Sequence, residues 1–204
     1  MKNIIIAGPS RSGKSTLANK INEELGCFVV GLDKLVAVFQ EAYPQLDIRL
    51  NWSRRKCSEN LAPFIGHFLG VFSSAGGRGL LNYSHGAVPG NRFVLEGGYF
   101  NFDIAAPVLK TYGIDDLSEK FILIGLTQNK KTVEEFVGDF KIYDTEDDWT
   151  YGFSDEDLKQ VSEDELSFGV EMTDHLTRHG FTVYDTSYDR EKVFKEILIR
   201  IRDN

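Results

Sequence analysis

Short apolar runs recur along the chain at residues 2–7, 27–31, 92–96, 121–126 and 182–184, each bounded by Gly, Asp or Asn. Runs of this length without polar alternation read as strands of a parallel sheet, covered on both faces. Between them the apolar positions shift to helical spacing. Leu17, Ala18, Ile21 and Leu25 mark a helix over residues 15–25, and further helical stretches are expected at 34–42, 53–72, 104–112, 155–179 and 190–201. This alternation predicts a three-layer α/β architecture: a five-stranded parallel sheet with helices on both faces and right-handed crossovers. Ligands of such a sheet gather beyond the carboxyl ends of the strands, where the turn after the first run, Asp33, Glu96 and the region of Thr127 are expected to converge.

That first turn carries the chemistry. Gly8, Pro9, Ser10, Arg11, Ser12, Gly13, Lys14, Ser15 and Thr16 spell a G-x-x-x-x-G-K-S loop between a strand and a helix. Glycines permit the tight path, successive N–H groups face phosphates, the lysine reaches the β and γ oxygens, and the serine hydroxyl can ligate magnesium. The helix opening after the loop adds its own attraction for an anion.

Two regions break the alternation. Residues 34–91 form a long insertion holding Trp52, Arg54, Arg55, Lys56, His67, Arg78 and His85, with a glycine-rich piece at Gly76, Gly77 and Gly79, and this is where an acceptor molecule is expected. Residues 143–165 carry Asp144, Glu146, Asp147, Asp148, Asp155, Glu156, Asp157, Glu163, Asp164 and Glu165 against the single base Lys159. A run of this kind is ordinarily a solvated face, with Trp149 and Tyr151 anchoring it to the body.

Composition narrows the classes. A formal net charge of −8 and a pI near 5.1 speak against a nucleic-acid backbone as partner. Cys27 and Cys57 have no metal-like or C-x-x-C spacing and read as idle buried thiols. No signal-peptide pattern or membrane-length apolar stretch is evident, so a single domain over 1–204, in the cytoplasm and away from membranes, is expected.

The loop, the Gly31-Leu32-Asp33 end of the second run, the Phe93-Val94-Leu95-Glu96-Gly97 run and Asp185-Thr186-Ser187 together resemble the P-loop kinases of small metabolites, the adenylate-kinase-like group. The resemblance implies the P-loop NTPase fold, ATP and Mg2+ as cofactors, a lid-like segment around 127–165, a water-mediated magnesium contact from Glu96, and a place near adenine for Thr186 and Ser187. The chain departs from nucleoside monophosphate kinases where Gly98, Tyr99 and Phe100 follow Glu96-Gly97, since an arginine that grips the acceptor phosphate is absent there. Lid arginines are also lacking, with Lys130, Lys131 and Lys141 in their stead, and lysine has no bidentate fork. A hydroxylated acceptor without a phosphate fits better.

Chemistry then distributes roles. Lys14 stabilises the transferring phosphoryl, Ser15 and Glu96 serve the metal, and Asp33 either acts as base toward an alcohol or caps a helix starting at residue 34. Arg54 and Arg55 either contact an anionic group or lie on a solvated helix face. Arg11 either touches phosphates or is exposed. Tyr99, Phe100 and Phe102 either line the acceptor pocket or belong to the core, and His67 and His85 lack catalytic partners. Asn129-Lys130-Lys131-Thr132 superficially matches the N-K-x-D guanine motif, but Thr132 has no carboxylate to accept from the base. A regulatory GTPase or a nucleotide-binding protein without an acceptor is the alternative reading.

Overall fold

The computed structural model describes residues 2–50, 53–73 and 92–203. Trp52, Gly76, Gly77, Arg78, Gly79 and His85 lie outside the described residues, and with them part of the 34–91 insertion.

Five strands form one sheet: β1 Asn3–Ala7, β2 Phe28–Gly31, β3 Phe93–Gly97, β4 Phe121–Thr127 and β5 Thr182–Asp185. All pairings are parallel and the spatial order is β2-β3-β1-β4-β5, so β1 runs down the middle between β3 and β4. Among the described residues there are seven α-helices: α1 Lys14–Leu25, α2 Leu32–Ala42, α3 Arg54–Ser73, α4 Phe102–Lys110, α5 Val133–Tyr143, α6 Asp155–Arg178 and α7 Arg190–Arg202. The expected strands agree with these to within one residue at each end. None of the described helices is long and apolar enough to cross a membrane.

The two-residue period of β1 sorts the layers. Ile4 and Ile6 face α1 and α7, packing with Leu17, Ile21, Phe194 and Ile197. Ile5 and Ala7 face the opposite layer, where Leu61 and Ile65 of α3, Phe102 and Ala105 of α4 and Met172 and Leu176 of α6 complete the larger core. Both thiols are buried and unpaired, and burial pushes each above the ordinary range, as expected of idle cysteines.

Two expectations are corrected here. Helix α2 starts at Leu32 behind an N-cap at Gly31 that offers no side-chain bond, so Asp33 is the second helical residue and not the cap of a helix at 34. Helix α5 had no expected counterpart. It opens with a complete capping box in which the Thr132 hydroxyl accepts from Glu135 N–H and the Glu135 carboxylate accepts from Thr132 N–H, and Phe136 and Phe140 then pack on Leu158 of α6. Thr132 is therefore a helix start.

Candidate functional site

The loop from Gly8 to Gly13 is fixed from below before it meets any ligand. At Gly8 a Cβ would collide with the Leu126 carbonyl, and Gly13 has φ of 91° with Phe194 pressed beneath it, so both positions require glycine. Ser12 is fully buried, and its hydroxyl donates to the Pro9 carbonyl at 2.9 Å. Thr186 donates its hydroxyl to the Ser12 carbonyl at 2.8 Å and the Thr127 carbonyl at 3.0 Å, tying the loop to the ends of β4 and β5. Arg190, at the start of α7, donates to the Arg11 carbonyl at 3.0 Å. With Gly13 as N-cap, the first amides of α1 remain available at the loop mouth, the arrangement that receives phosphates.

A cleft of about 1090 Å³ opens over this mouth. Ser10, Arg11, Gly13, Lys14, Ser15 and Thr16 supply its phosphate side; Asp33, Arg54, Gly98 and Tyr99 line it on the insertion side; Trp149, Phe153, Asp164, Glu165 and Phe168 close it from the acidic segment and α6. On its floor the Ser15 hydroxyl donates to Glu96 Oε1 at 3.2 Å, so two hard oxygen donors stand together where a magnesium ion would serve the phosphates. Lys14 Nζ donates to the Pro9 carbonyl at 2.6 Å. Burial lowers the Lys14 pKa, while Glu96, Asp33 and Glu165 oppose that fall. Burial raises the Glu96 pKa, partly offset by Lys14. Tyr99 is pushed up to about 12, by burial first and by Asp33 next.

The expected residues divide as follows. Lys14, Ser15, Thr16, Ser10, Arg11, Gly13, Asp33 and Arg54 reach the cleft, and Glu96 meets Ser15 at its floor. Gly8, Pro9 and Ser12 form the buried underside of the loop. Arg55 does not join them: its side chain is 89% exposed and paired with Glu59, one position around the helix from Arg54. Thr186 and Ser187 are both buried and neither lines the cleft: the Thr186 hydroxyl is committed to carbonyls, one of them the loop's Ser12, so Thr186 buttresses the loop, while the Ser187 hydroxyl accepts from Lys130 N–H. Phe100 and Phe102 stack in the core at 5.2 Å, leaving Tyr99 as the cleft-lining aromatic of that trio. Lys131 is paired with Asp139, and Lys141 with Asp155 at 2.6 Å, away from the cleft.

The acidic segment corrects a larger expectation, for part of it faces inward. Asp144 pairs with Arg11, Asp148 adds a second contact to that guanidinium at 3.2 Å, and Phe140 lies under it. Glu165 is 3% exposed, accepts from Ser10 N–H at 2.9 Å and pairs with Arg54, whose guanidinium lies 4.4 Å above the Phe168 ring. Trp149 and Tyr151 are about half exposed, so carboxylates rather than aromatics anchor the segment. Arg190 and Glu165 are the functional candidates that spacing alone did not single out. Arg11 is neither exposed nor open to solvent on all sides, because two carboxylates hold it.

Asp103, His175 and His179 form, among the described residues, a further cluster with metal-ligand atoms close together, beside Phe102 of the larger core. His175 Nε2 accepts from Phe102 N–H at 3.1 Å, which leaves the neutral ring's proton on Nδ1 facing Asp103, and His179 meets the same carboxylate at 2.8 Å. The cluster clamps α4 to α6.

No protein-family model matches the sequence, and no curated protein matches it either. Solved structures do. A shikimate kinase from Acinetobacter baumannii in complex with shikimate superposes with a TM-score of 0.51 at 18% identity, covering 100% of this chain and 94% of that one. The YorR protein of Bacillus subtilis, in complex with phosphorylated GDP, gives a TM-score of 0.52 at 13% identity over 98% of this chain and 96% of that one. The chain has the P-loop kinase fold. At such identities the likeness extends to the architecture alone.

Proposed function

We propose that the protein is a magnesium-dependent kinase that transfers the γ-phosphoryl group of ATP to a hydroxyl of a small-molecule acceptor. The observation that carries this reading is the convergence of Lys14, the Ser15–Glu96 pair, Asp33 and Tyr99 on one cleft above a phosphate-binding loop. A kinase of the same fold solved with shikimate supports a small-molecule acceptor, and a relative in fold solved with phosphorylated GDP supports a nucleotide at the loop.

Phosphoryl transfer asks the protein for positioning and for charge neutralisation. The amides at the start of α1 and Lys14 hold the phosphate chain, and Ser15 and Glu96 provide the oxygen donors that suit magnesium, which would offset phosphate charge when bound. Asp33, in the first turn of α2, faces the same cleft and orients the acceptor hydroxyl, taking its proton late in the transfer. Tyr99, protonated across the neutral range, donates a hydrogen bond to the acceptor. With Lys131 and Lys141 occupied elsewhere, Arg54 is the guanidinium on the acceptor side.

ADP release stimulated by members of a metabolite and nucleoside library tests the proposal, with ATP and GTP compared as donors. Slow, acceptor-independent hydrolysis with a guanine preference would turn the reading to a regulatory NTPase. With an acceptor in hand, Asp33→Asn is expected to lower kcat by about 100-fold or more while ATP affinity holds. Normal turnover in that variant would remove the base role.

A further inference from the structure

Glu165 is a nearly enclosed carboxylate at the mouth of a loop built for anions. Its Oε2 accepts from Ser10 N–H at 2.9 Å and its Oε1 pairs with Arg54, which also lies 3.5 Å from the Ser10 hydroxyl. A backbone amide of a phosphate loop together with a guanidinium is the donor set that recognises phosphoryl oxygens, and a carboxylate presents two acceptor oxygens to the same set. Place within the loop matters. Gly13, Ser15 and Thr16 sit at the helix start with Lys14, which reaches from there to the terminal phosphate, whereas Ser10 stands on the other limb, facing Arg54 of α3 and Glu165 of α6 where the acceptor side begins.

We infer that Glu165 is an internal competitor of the terminal phosphoryl group, and that Arg54 passes from one to the other. The inference rests on the phosphotransferase reading above and assigns the site a selection device. A terminal phosphoryl oxygen and the Glu165 carboxylate cannot both take Ser10 N–H and Arg54 at close range, because two anions in contact repel. A triphosphate therefore gives up part of its binding free energy to displace the carboxylate, whereas a diphosphate that stops at the inner amides leaves Glu165 in place. Once displaced from Glu165, Arg54 becomes the cation beside the transferring group, a task that Lys131 and Lys141 cannot perform from their pairs with Asp139 and Asp155. Phe168, stacked under the guanidinium, keeps Arg54 aimed at the loop during the exchange.

The test is the ratio of affinities for a non-hydrolysable ATP analogue and for ADP, both with Mg2+, measured by titration calorimetry on the full chain. Glu165→Gln keeps the shape and removes the charge; it is expected to tighten the analogue by about tenfold and to move ADP by less than about twofold. Arg54→Gln is expected to weaken the analogue by about tenfold with ADP again nearly unchanged. A merely structural pair would shift both nucleotides together, so an analogue-to-ADP ratio within twofold of wild type in Glu165→Gln overturns the inference. Should that variant fail to fold, an unchanged ratio in Arg54→Gln does the same. Wild-type protein that binds neither nucleotide overturns the kinase reading and this inference together, whereas normal wild-type binding with unmoved ratios removes this inference alone.

Discussion

The loop between β1 and α1 and the acidic stretch of residues 143–165 border the same cleft, yet they are encoded in opposite ways. The loop is local: its glycines, lysine and serine act within a few residues of one another, and the helix that receives the phosphates begins inside the motif. The acidic stretch is non-local. Its working members find partners far off in sequence, Asp144 at Arg11 and Glu165 at Ser10 and Arg54, while neighbours such as Glu146, Asp147 and Glu163 face solvent. Both sets of carboxylates look alike along the chain. Which of them turn inward is decided by where α5 and α6 set them against the loop, so a cluster of like charge can be half surface and half clamp.

Four substitutions would break or sharpen this contrast. The largest effect is expected at the local end. Lys14→Ala should cut triphosphate binding or turnover by about 100- to 1000-fold, the size of losing one preorganised charge-stabilising donor, with a nearly unchanged melting temperature. Unaltered affinity and turnover would contradict the role of the loop. A middle effect belongs to the inward acids: Asp144→Ala removes a partly buried partner of Arg11 and of the Thr150 hydroxyl and should cost about 1–3 kcal/mol in denaturant unfolding. The outward Glu146→Gln, as its control, should stay within about 0.5 kcal/mol, and equal losses in the two would erase the distinction drawn between the faces. The smallest effect tests the helix that carries the clamp: Thr132→Ala deletes the α5 capping hydroxyl, for a loss of about 1 kcal/mol. Stability equal to wild type there would show that packing of Phe136 and Phe140 holds α5 without its cap.

The sheet is legible because buried parallel strands are short and largely apolar, so β1 and β4 stand out from residues alone. The loop was legible because phosphate binding restricts residue types at fixed offsets. Helix α5 has its start signal, the capping-box spacing of Thr132 and Glu135, overlapping the Asn129-Lys130-Lys131-Thr132 stretch that resembles a guanine motif, so the same residues carry two patterns. Asp33 illustrates a subtler limit. Its type and place point equally to a cap and to a cleft carboxylate, and only the turn geometry at Gly31, which starts the helix one residue before it, separates them. Arg54 and Arg55 are adjacent and chemically identical, and the helical step of about 100° sends one into the cleft beside Glu165 and the other to Glu59. Glu165 and Arg190 carried no signal of their own, because their roles exist only through contacts between distant elements.

The central place of β1 has a consequence for how the chain is made. Ile4 pairs with Val94 on one edge and with Ile122 on the other, so β1, which precedes the other four strands of this sheet, waits longest for its neighbours. At translation speeds of about 5–20 residues per second, its three isoleucines emerge roughly 6–24 s before the β4 segment that finally encloses them. Until then the nascent chain holds an exposed, sticky segment, and a ribosome stalled before β4 would leave behind a fragment suited to aggregation and to capture by chaperones.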